Sequence, residues 1–89
     1  KTIIIKNKQG LHARPAALFV QLANKFDSTI AVKKDDEEVN GKSIMGILTL
    51  GAEKGSLIVI EAEGVDAASA ILELEKVITC DEKKDRLNS

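Results

Sequence analysis

The sequence predicts a single small α+β domain in which three helices cover one face of a four-stranded antiparallel sheet. Apolar residues alternate in four segments and recur at helical spacing in three others. These segments follow one another in the order β-α-β-β-α-β-α, and no strand segment is apolar on both faces. Helices on one side of the sheet, with the other side left to water, account for this pattern.

The chain opens with a strand followed by a helix. "TIIIK" (2–6) is a β-branched run that places Ile3 and Ile5 on one face. After Gly10 the apolar residues change to a helical period, which predicts a helix over "PAALFVQLANKF" (15–26). The apolar face of this helix comprises Leu18, Phe19, Leu22, Ala23 and Phe26.

A hairpin and a short helix come next. "STIAVKK" (28–34) alternates with Ile30 and Val32 inward, and a turn at residues 35–36 leads into a second short strand, "EEVNG" (37–41). "KSIMGILTLG" (42–51) is a short apolar segment that predicts a helix. Its expected N-cap and stop are Ser43 and Gly51.

The last strand and the last helix complete the domain. "SLIVIEAEG" (56–64) is strongly β-branched, and its shared face comprises Ile58, Ile60 and Ala62. Asp66 is the expected cap of a helix that follows. The apolar stripe of that helix comprises Ala67, Ala70, Ile71, Leu74 and Val77. Residues 79–89 form a polar tail that we expect to fray, within a single domain over 1–89.

Composition excludes several classes of function. Thirteen basic and fourteen acidic residues give a net charge of −1, whereas nucleic-acid binders carry a basic face. There is no Trp or Tyr on which bases could stack. Cys80 is the only cysteine, so no internal disulfide forms and a reducing compartment is expected. No leader-like segment or membrane-length apolar run is present, which predicts a cytoplasmic protein without a membrane partner.

The segment "GLHARP" (10–15) contains the only histidine and the only proline. Three chemistries are alternatives to a plain capping or surface role for His12. A metal site needs several ligands, and there is no second histidine. A hydrolytic triad needs an activated Ser or Cys, and no serine here lies in a nucleophile-elbow context. The third chemistry makes His12 itself the nucleophile toward phosphorus.

The neighbours of His12 favour that third chemistry. The helix near Pro15 offers unpaired backbone N–H groups and a positive dipole end, and we expect Ala13, Arg14 and Ala16 to supply those groups. The same field keeps the imidazole neutral and its lone pair available. Arg14 adds a forked, permanently charged donor for phosphoryl oxygens.

"GLHARPAALFVQLANKF" together with "VNGKSIMGILTLGAEKG" resembles HPr, the histidine-containing phosphocarrier family of the bacterial phosphoenolpyruvate:sugar phosphotransferase system. The resemblance runs from Thr2 to Ile78. It implies an open-faced β-sandwich with sheet order 1-4-2-3. It also implies that His12 accepts a phosphoryl group on Nδ1 from Enzyme I and passes it to Enzyme IIA. Such a protein is a monomeric stoichiometric carrier without a cofactor or metal, and not an enzyme.

The second motif predicts regulation. "KSIMG" resembles the Gram-positive HPr segment whose serine is phosphorylated by the ATP-dependent HPr kinase/phosphorylase, which implies that Ser43 is a regulatory site in addition to an N-cap. Phosphate there would lie beside an apolar patch on which partners dock. We expect that patch to comprise Ala17, Val20, Ile44, Met45 and Leu48. Ile47 and Leu50 are expected to face the sheet instead.

Two alternative functions stay open at this point. The first is a purely regulatory HPr-like binding module that acts through phosphorylated Ser43 on a catabolite-control transcription factor. Regulatory relatives within the family lack the histidine, whereas "HARP" is intact here, which favours the carrier. The second is an independent hydrolase or transferase, for which the sequence offers no substrate-pocket signal.

Overall fold

A computed structural model of the protein describes residues 1–7, 13–51, 53 and 55–79. The order β-α-β-β-α-β-α is confirmed. The strands are β1 (Thr2–Lys6), β2 (Thr29–Lys34), β3 (Glu37–Asn40) and β4 (Leu57–Glu63), and the helices are α1 (Ala13–Ala23), α2 (Ile44–Leu50) and α3 (Ala67–Thr79).

The four strands form one antiparallel sheet in the order β1-β4-β2-β3, as the resemblance implied. Strand β4 is central and pairs with both β1 and β2, so its alternation decides which face of the sheet is buried. The predicted inward residues are confirmed: Ile5, Ile30, Val32, Ile58, Ile60 and Ala62 are buried, and Ile3 is partly buried against them.

The three helices pack on this inward face. Helix α3 contacts β1 and β4, α2 contacts β2 and β3, and α1 packs against both other helices. Their largest fully buried side chains are Phe19, Ile47, Leu74 and Ile78. Among the described residues, no helix has the length and apolar character needed to cross a membrane.

The opposite face of the sheet carries charges. Lys33 of β2 lies between Glu38 of β3 and Glu61 of β4, with N···O distances of 3.5 and 3.0 Å. The hydrogen bond and charge of Glu61 raise the pKa of Lys33. Ile4 and Leu57 are exposed on the same face. The expectation that helices cover only one face is therefore met.

Helix α1 begins and ends earlier than predicted. It begins at Ala13, so Pro15 is its third residue and not its first. A proline is tolerated there because the N–H that it lacks would have no partner within the helix. It ends at Ala23, and Phe26 packs against the core from the following turn. Leu18 is 52 % exposed, so its assignment to the buried face was wrong.

The end of α3 also departs from the prediction. Thr79, which we assigned to the polar tail, is the last residue of α3, and its hydroxyl donates to the Glu75 carbonyl at 2.8 Å. Residues 80–89, including Cys80, lie outside the described residues.

Asp66 caps α3 with its backbone and uses its side chain elsewhere. The Asp66 carbonyl accepts from the N–H of Ala70 at 2.9 Å. Its carboxylate accepts from the N–H groups of Asp27 and Ser28, at 2.9 and 3.0 Å, and from the Ser28 hydroxyl. These bonds join the turn after α1 to the start of α3. The Ser28 hydroxyl bond, followed by the N–H of Asp27, lowers the pKa of Asp66.

The hydrogen bonds to the Asp66 carboxylate predict a contribution to stability that is lost in acid. Because the pKa of Asp66 is lower in the folded than in the unfolded chain, its stabilising effect is full above the unfolded value and disappears as pH falls through the folded value. We expect Asp66→Asn to reduce the loss of stability on acidification, measured by urea unfolding across the acid range. Asp36→Asn, in the exposed hairpin turn, is the control. If the free energy of unfolding falls with pH equally in Asp66→Asn and in the wild-type chain, this role of Asp66 is contradicted.

Candidate functional site

The first turn of α1 is suited to binding an anion. Ala13 and Arg14 are its first two residues, both are exposed, and no acidic side chain lies in this turn. The first N–H groups of a helix have no partner within it and stand at the positive end of the helix dipole. The predicted His12 and Gly10 lie outside the described residues.

The guanidinium of Arg14 is accessible at this turn. Within the described part of the chain, neither an ion pair nor a hydrogen bond engages it. Ala16, also predicted to offer its N–H, is the fourth residue of α1 and its side chain is fully buried. The exposed part of the predicted phosphoryl site that the structure describes is therefore Ala13 and Arg14.

Ser43 is the N-cap of α2, as predicted. Its backbone is extended, with φ −110° and ψ 116°, and its Oγ accepts from the N–H of Gly46 at 3.1 Å. The Ser43 carbonyl accepts the first helical hydrogen bond, from Ile47, at 3.0 Å. Gly51 ends the helix in the left-handed conformation with φ 63°, which confirms the predicted stop. Ser43 is partly accessible, so its hydroxyl is both a cap and a surface group.

Helix α2 presents more apolar surface than it buries. Ile47 and Leu50 are buried against the sheet, as expected. Met45, Leu48 and Ile44 are 68 %, 39 % and 37 % exposed. An exposed methionine beside branched aliphatic residues is typical of a surface that must fit several partners.

Helices α1 and α2, which carry the residues of the predicted patch, pack against each other. The Asn24 side-chain Nδ2 donates to the Lys42 carbonyl, just before α2, at 3.2 Å. Val20 and Ala17 lie one and two turns before Asn24 on the same side of α1, and both are partly buried. This side of α1 therefore faces α2. We call Ala17, Val20, Ile44, Met45 and Leu48 together the docking surface, after the partner binding that the sequence predicts for them.

Sequence reasoning missed three residues near this site. Asn24 and Lys42 connect the end of α1 to the residue before Ser43, and Leu18 is exposed one turn after Arg14. An asparagine directly after an apolar helical run is a recognised helix-end signal, and it could have indicated Asn24. No pattern in the sequence indicates the partner of its side chain.

Comparison with known proteins identifies the family. The family model described as "PTS HPr component phosphorylation site" matches residues 1–79. The phosphocarrier protein HPr of Neisseria meningitidis is 47 % identical over 78 residues, which cover 88 % of each chain.

Solved structures agree with this match. A crystal structure of HPr from Bacillus anthracis has a TM-score of 0.86 at 44 % identity, covering 89 % of this chain and 96 % of that one. Crh, the Bacillus subtilis catabolite repression protein, described as a swapped dimer, has a TM-score of 0.73 at 43 % identity, covering 83 % and 85 %. The chain belongs to the HPr family, the phosphocarrier proteins of the phosphotransferase system, which carry a phosphoryl group and are not enzymes.

Proposed function

We propose that the chain accepts a phosphoryl group on Nδ1 of His12 from Enzyme I and passes it to Enzyme IIA. One observation carries the proposal: the residues that follow His12 in "HARP" begin α1, and this first turn has no acidic side chain and an exposed Arg14. A dianion beside this turn meets backbone N–H groups and a guanidinium, and these attract phosphoryl oxygens. The carrier acts in the cytoplasm as a monomer.

The same geometry favours release of the phosphoryl group. A carrier must give up what it receives, so its site should bind phosphate weakly. The exposed Ala13 and Arg14 leave the phosphoryl group open to solvent and to the next protein. Transfer from His12 to the next protein then depends on in-line positioning by that partner.

Incubation with phosphoenolpyruvate and Enzyme I tests the proposal. We expect one acid-labile phosphate per chain, which leaves the protein when an Enzyme IIA domain is added. An acid-stable adduct, or an adduct that Enzyme IIA cannot remove, would contradict the carrier function.

Arg14→Ala is expected to slow phosphoryl transfer by about ten- to a hundred-fold, since a charge-assisted hydrogen bond to the phosphoryl group is lost. Arg14→Lys should restore part of the rate, because lysine keeps the charge but lacks the paired N–H donors of the planar guanidinium. Rapid-quench measurement of transfer from Enzyme I gives these rates. Lys25→Ala, an exposed cation beyond the other end of α1, is the control and should keep the wild-type rate. Equal rates for Arg14→Ala and the control would contradict the role of Arg14.

The proposal includes regulation at Ser43 by HPr kinase/phosphorylase. Ser43 caps the helix that carries Ile44, Met45 and Leu48, so phosphate there adds two negative charges at the edge of the docking surface. The regulatory alternative, binding to a catabolite-control transcription factor without phosphoryl transfer from His12, is favoured by the likeness to Crh. The intact "HARP" motif favours the carrier.

Ser43→Asp is expected to remain folded, since aspartate is a good N-cap, and to bind Enzyme I about ten-fold more weakly. Phosphorylated Ser43 should weaken binding further, because it carries more charge. Calorimetric titration with Enzyme I measures both affinities, and thermal melts confirm folding. Ser69→Asp places the same charge in the first turn of α3 and should bind normally. If phosphorylation at Ser43 leaves the affinity unchanged, Ser43 is a helix cap only.

A further inference from the structure

Lys42, the residue before Ser43, is held by three hydrogen bonds that we call the Lys42 clamp. Its backbone N–H donates to Oδ1 of Asn40 at 2.8 Å. Its carbonyl accepts from Nδ2 of Asn24 at 3.2 Å. Its ammonium donates to the Phe26 carbonyl at 2.7 Å. Backbone and side chain of one residue are therefore fixed immediately before the N-cap.

Asn24 connects this clamp to α1. Its Nδ2 donates to the Val20 carbonyl at 2.9 Å as well as to the Lys42 carbonyl. An amide nitrogen has two hydrogens, so each carbonyl receives its own donor. One side chain thus joins the end of α1 to the backbone that leads into Ser43.

The position of α2 itself does not depend on Asn24. Ile47 and Leu50 anchor the helix in the core. Gly46 approaches β3 so closely that a Cβ there would lie 3.3 Å from Cβ of Val39. Loss of the Asn24 bond should therefore loosen Lys42 and, through it, the backbone that leads into Ser43, whose N–H still donates to the Asn40 carbonyl at 3.1 Å. The exposed side chains of α2 should stay in place.

We propose that Asn24 is a positioning residue for phosphorylation of Ser43, an inference that rests on the regulation proposed above. In that step Oγ of Ser43 attacks the terminal phosphorus of a nucleoside triphosphate. The new Oγ–P bond replaces the bond to the departing diphosphate, and a base of the kinase takes the hydroxyl proton. The docking surface holds the kinase. The Lys42 clamp orients the backbone before Ser43, and together with the bond from the N–H of Gly46 it sets the position of Oγ relative to that surface.

Asn24 is a suitable probe because it lies far from Ser43 in the sequence. A kinase that recognises only the residues around Ser43 in the sequence would phosphorylate Asn24→Ala at the wild-type rate. A kinase that binds the folded surface would bind the variant normally and transfer phosphate more slowly. The effect should therefore appear in kcat and not in KM.

Steady-state phosphorylation of Ser43 by HPr kinase/phosphorylase with ATP tests the inference. We expect Asn24→Ala to lower kcat about five-fold, which is the change in rate that the loss of one hydrogen bond produces. KM should change by less than about two-fold. Asn24→Gln keeps the amide donors and should recover part of kcat. Gln21→Ala, an exposed residue of α1 outside the clamp, is the control and should be unchanged. Phosphorylation by Enzyme I should be the same for all of these variants.

The outcomes separate this inference from the function it rests on. A wild-type kcat in Asn24→Ala, a loss confined to KM, or an equal loss with Enzyme I would overturn the positioning role alone. A wild-type chain that takes no phosphate on Ser43 would overturn the regulation and the positioning role together. Asn40→Ala removes a different bond of the clamp and should also lower kcat. It serves as the second test if Asn24→Ala melts below the assay temperature.

Discussion

Replacing Gly64 with alanine is expected to lower the free energy of unfolding by about 3 kcal/mol. Gly64 has φ 146°, a conformation that residues with a Cβ rarely adopt. A Cβ at this position would lie 2.6 Å from Oγ and 2.7 Å from Cα of Ser28. Ser28 is buried and its Cα is backbone, so the collision cannot be relieved by rotating a side chain.

Gly55→Ala is the matched control for this prediction. Gly55 also has a positive φ, 92°, but no atom lies within 4 Å of a Cβ built there. Its replacement should cost backbone strain only, about 1 kcal/mol. Chemical unfolding of both variants measures the difference. Equal losses would show that the contact with Ser28 is relieved and that only the backbone conformation matters.

The effect of Gly64→Ala on the functional site should be smaller than its effect on stability. Gly64 lies beside Ser28, and the Asp66 carboxylate accepts from the Ser28 hydroxyl. These residues join the turn after α1 to the start of α3. These residues follow the C-terminal end of α1, whereas Arg14 lies in its first turn. We therefore expect Gly64→Ala to lower the free energy of unfolding, while the chains that remain folded keep most of the wild-type phosphoryl-transfer rate.

The sheet could be predicted because side chains alternate along a strand. Once Ile58, Ile60 and Ala62 were assigned to one face of β4, the alternation of its neighbours had to match, and the structure confirms this. Ser43 was predictable for a similar local reason. A serine before an apolar helical segment satisfies an N–H of the first turn.

Long-range side-chain partners could not be predicted in this way. Asp66 has the sequence position of a helix cap, yet its carboxylate binds Asp27 and Ser28, which precede β2. Asn24 has the position of a helix end, yet its amide also binds the Lys42 carbonyl. Both partners depend on how the helices pack, and the sequence pattern describes each element only by itself.

His12→Ala is expected to abolish phosphorylation by Enzyme I, the largest effect on function that we predict. The chain has a single histidine, so no second imidazole can replace its nitrogen. Arg14 and the helix N–H groups can attract a phosphoryl group, but they supply no nucleophile. His12→Gln, closer in size, should fail equally, and thermal melts of both variants should show that folding is retained.

Nitrogen–phosphorus correlation by NMR can assign the phosphoryl group to a single nitrogen atom. The chain carries ¹⁵N only in its one histidine and is treated with phosphoenolpyruvate and Enzyme I. We predict one phosphorus signal, bonded to Nδ1 of His12, that disappears after Enzyme IIA is added. Phosphorus found on another residue, or none bonded to the imidazole, would contradict phosphoryl transfer through His12.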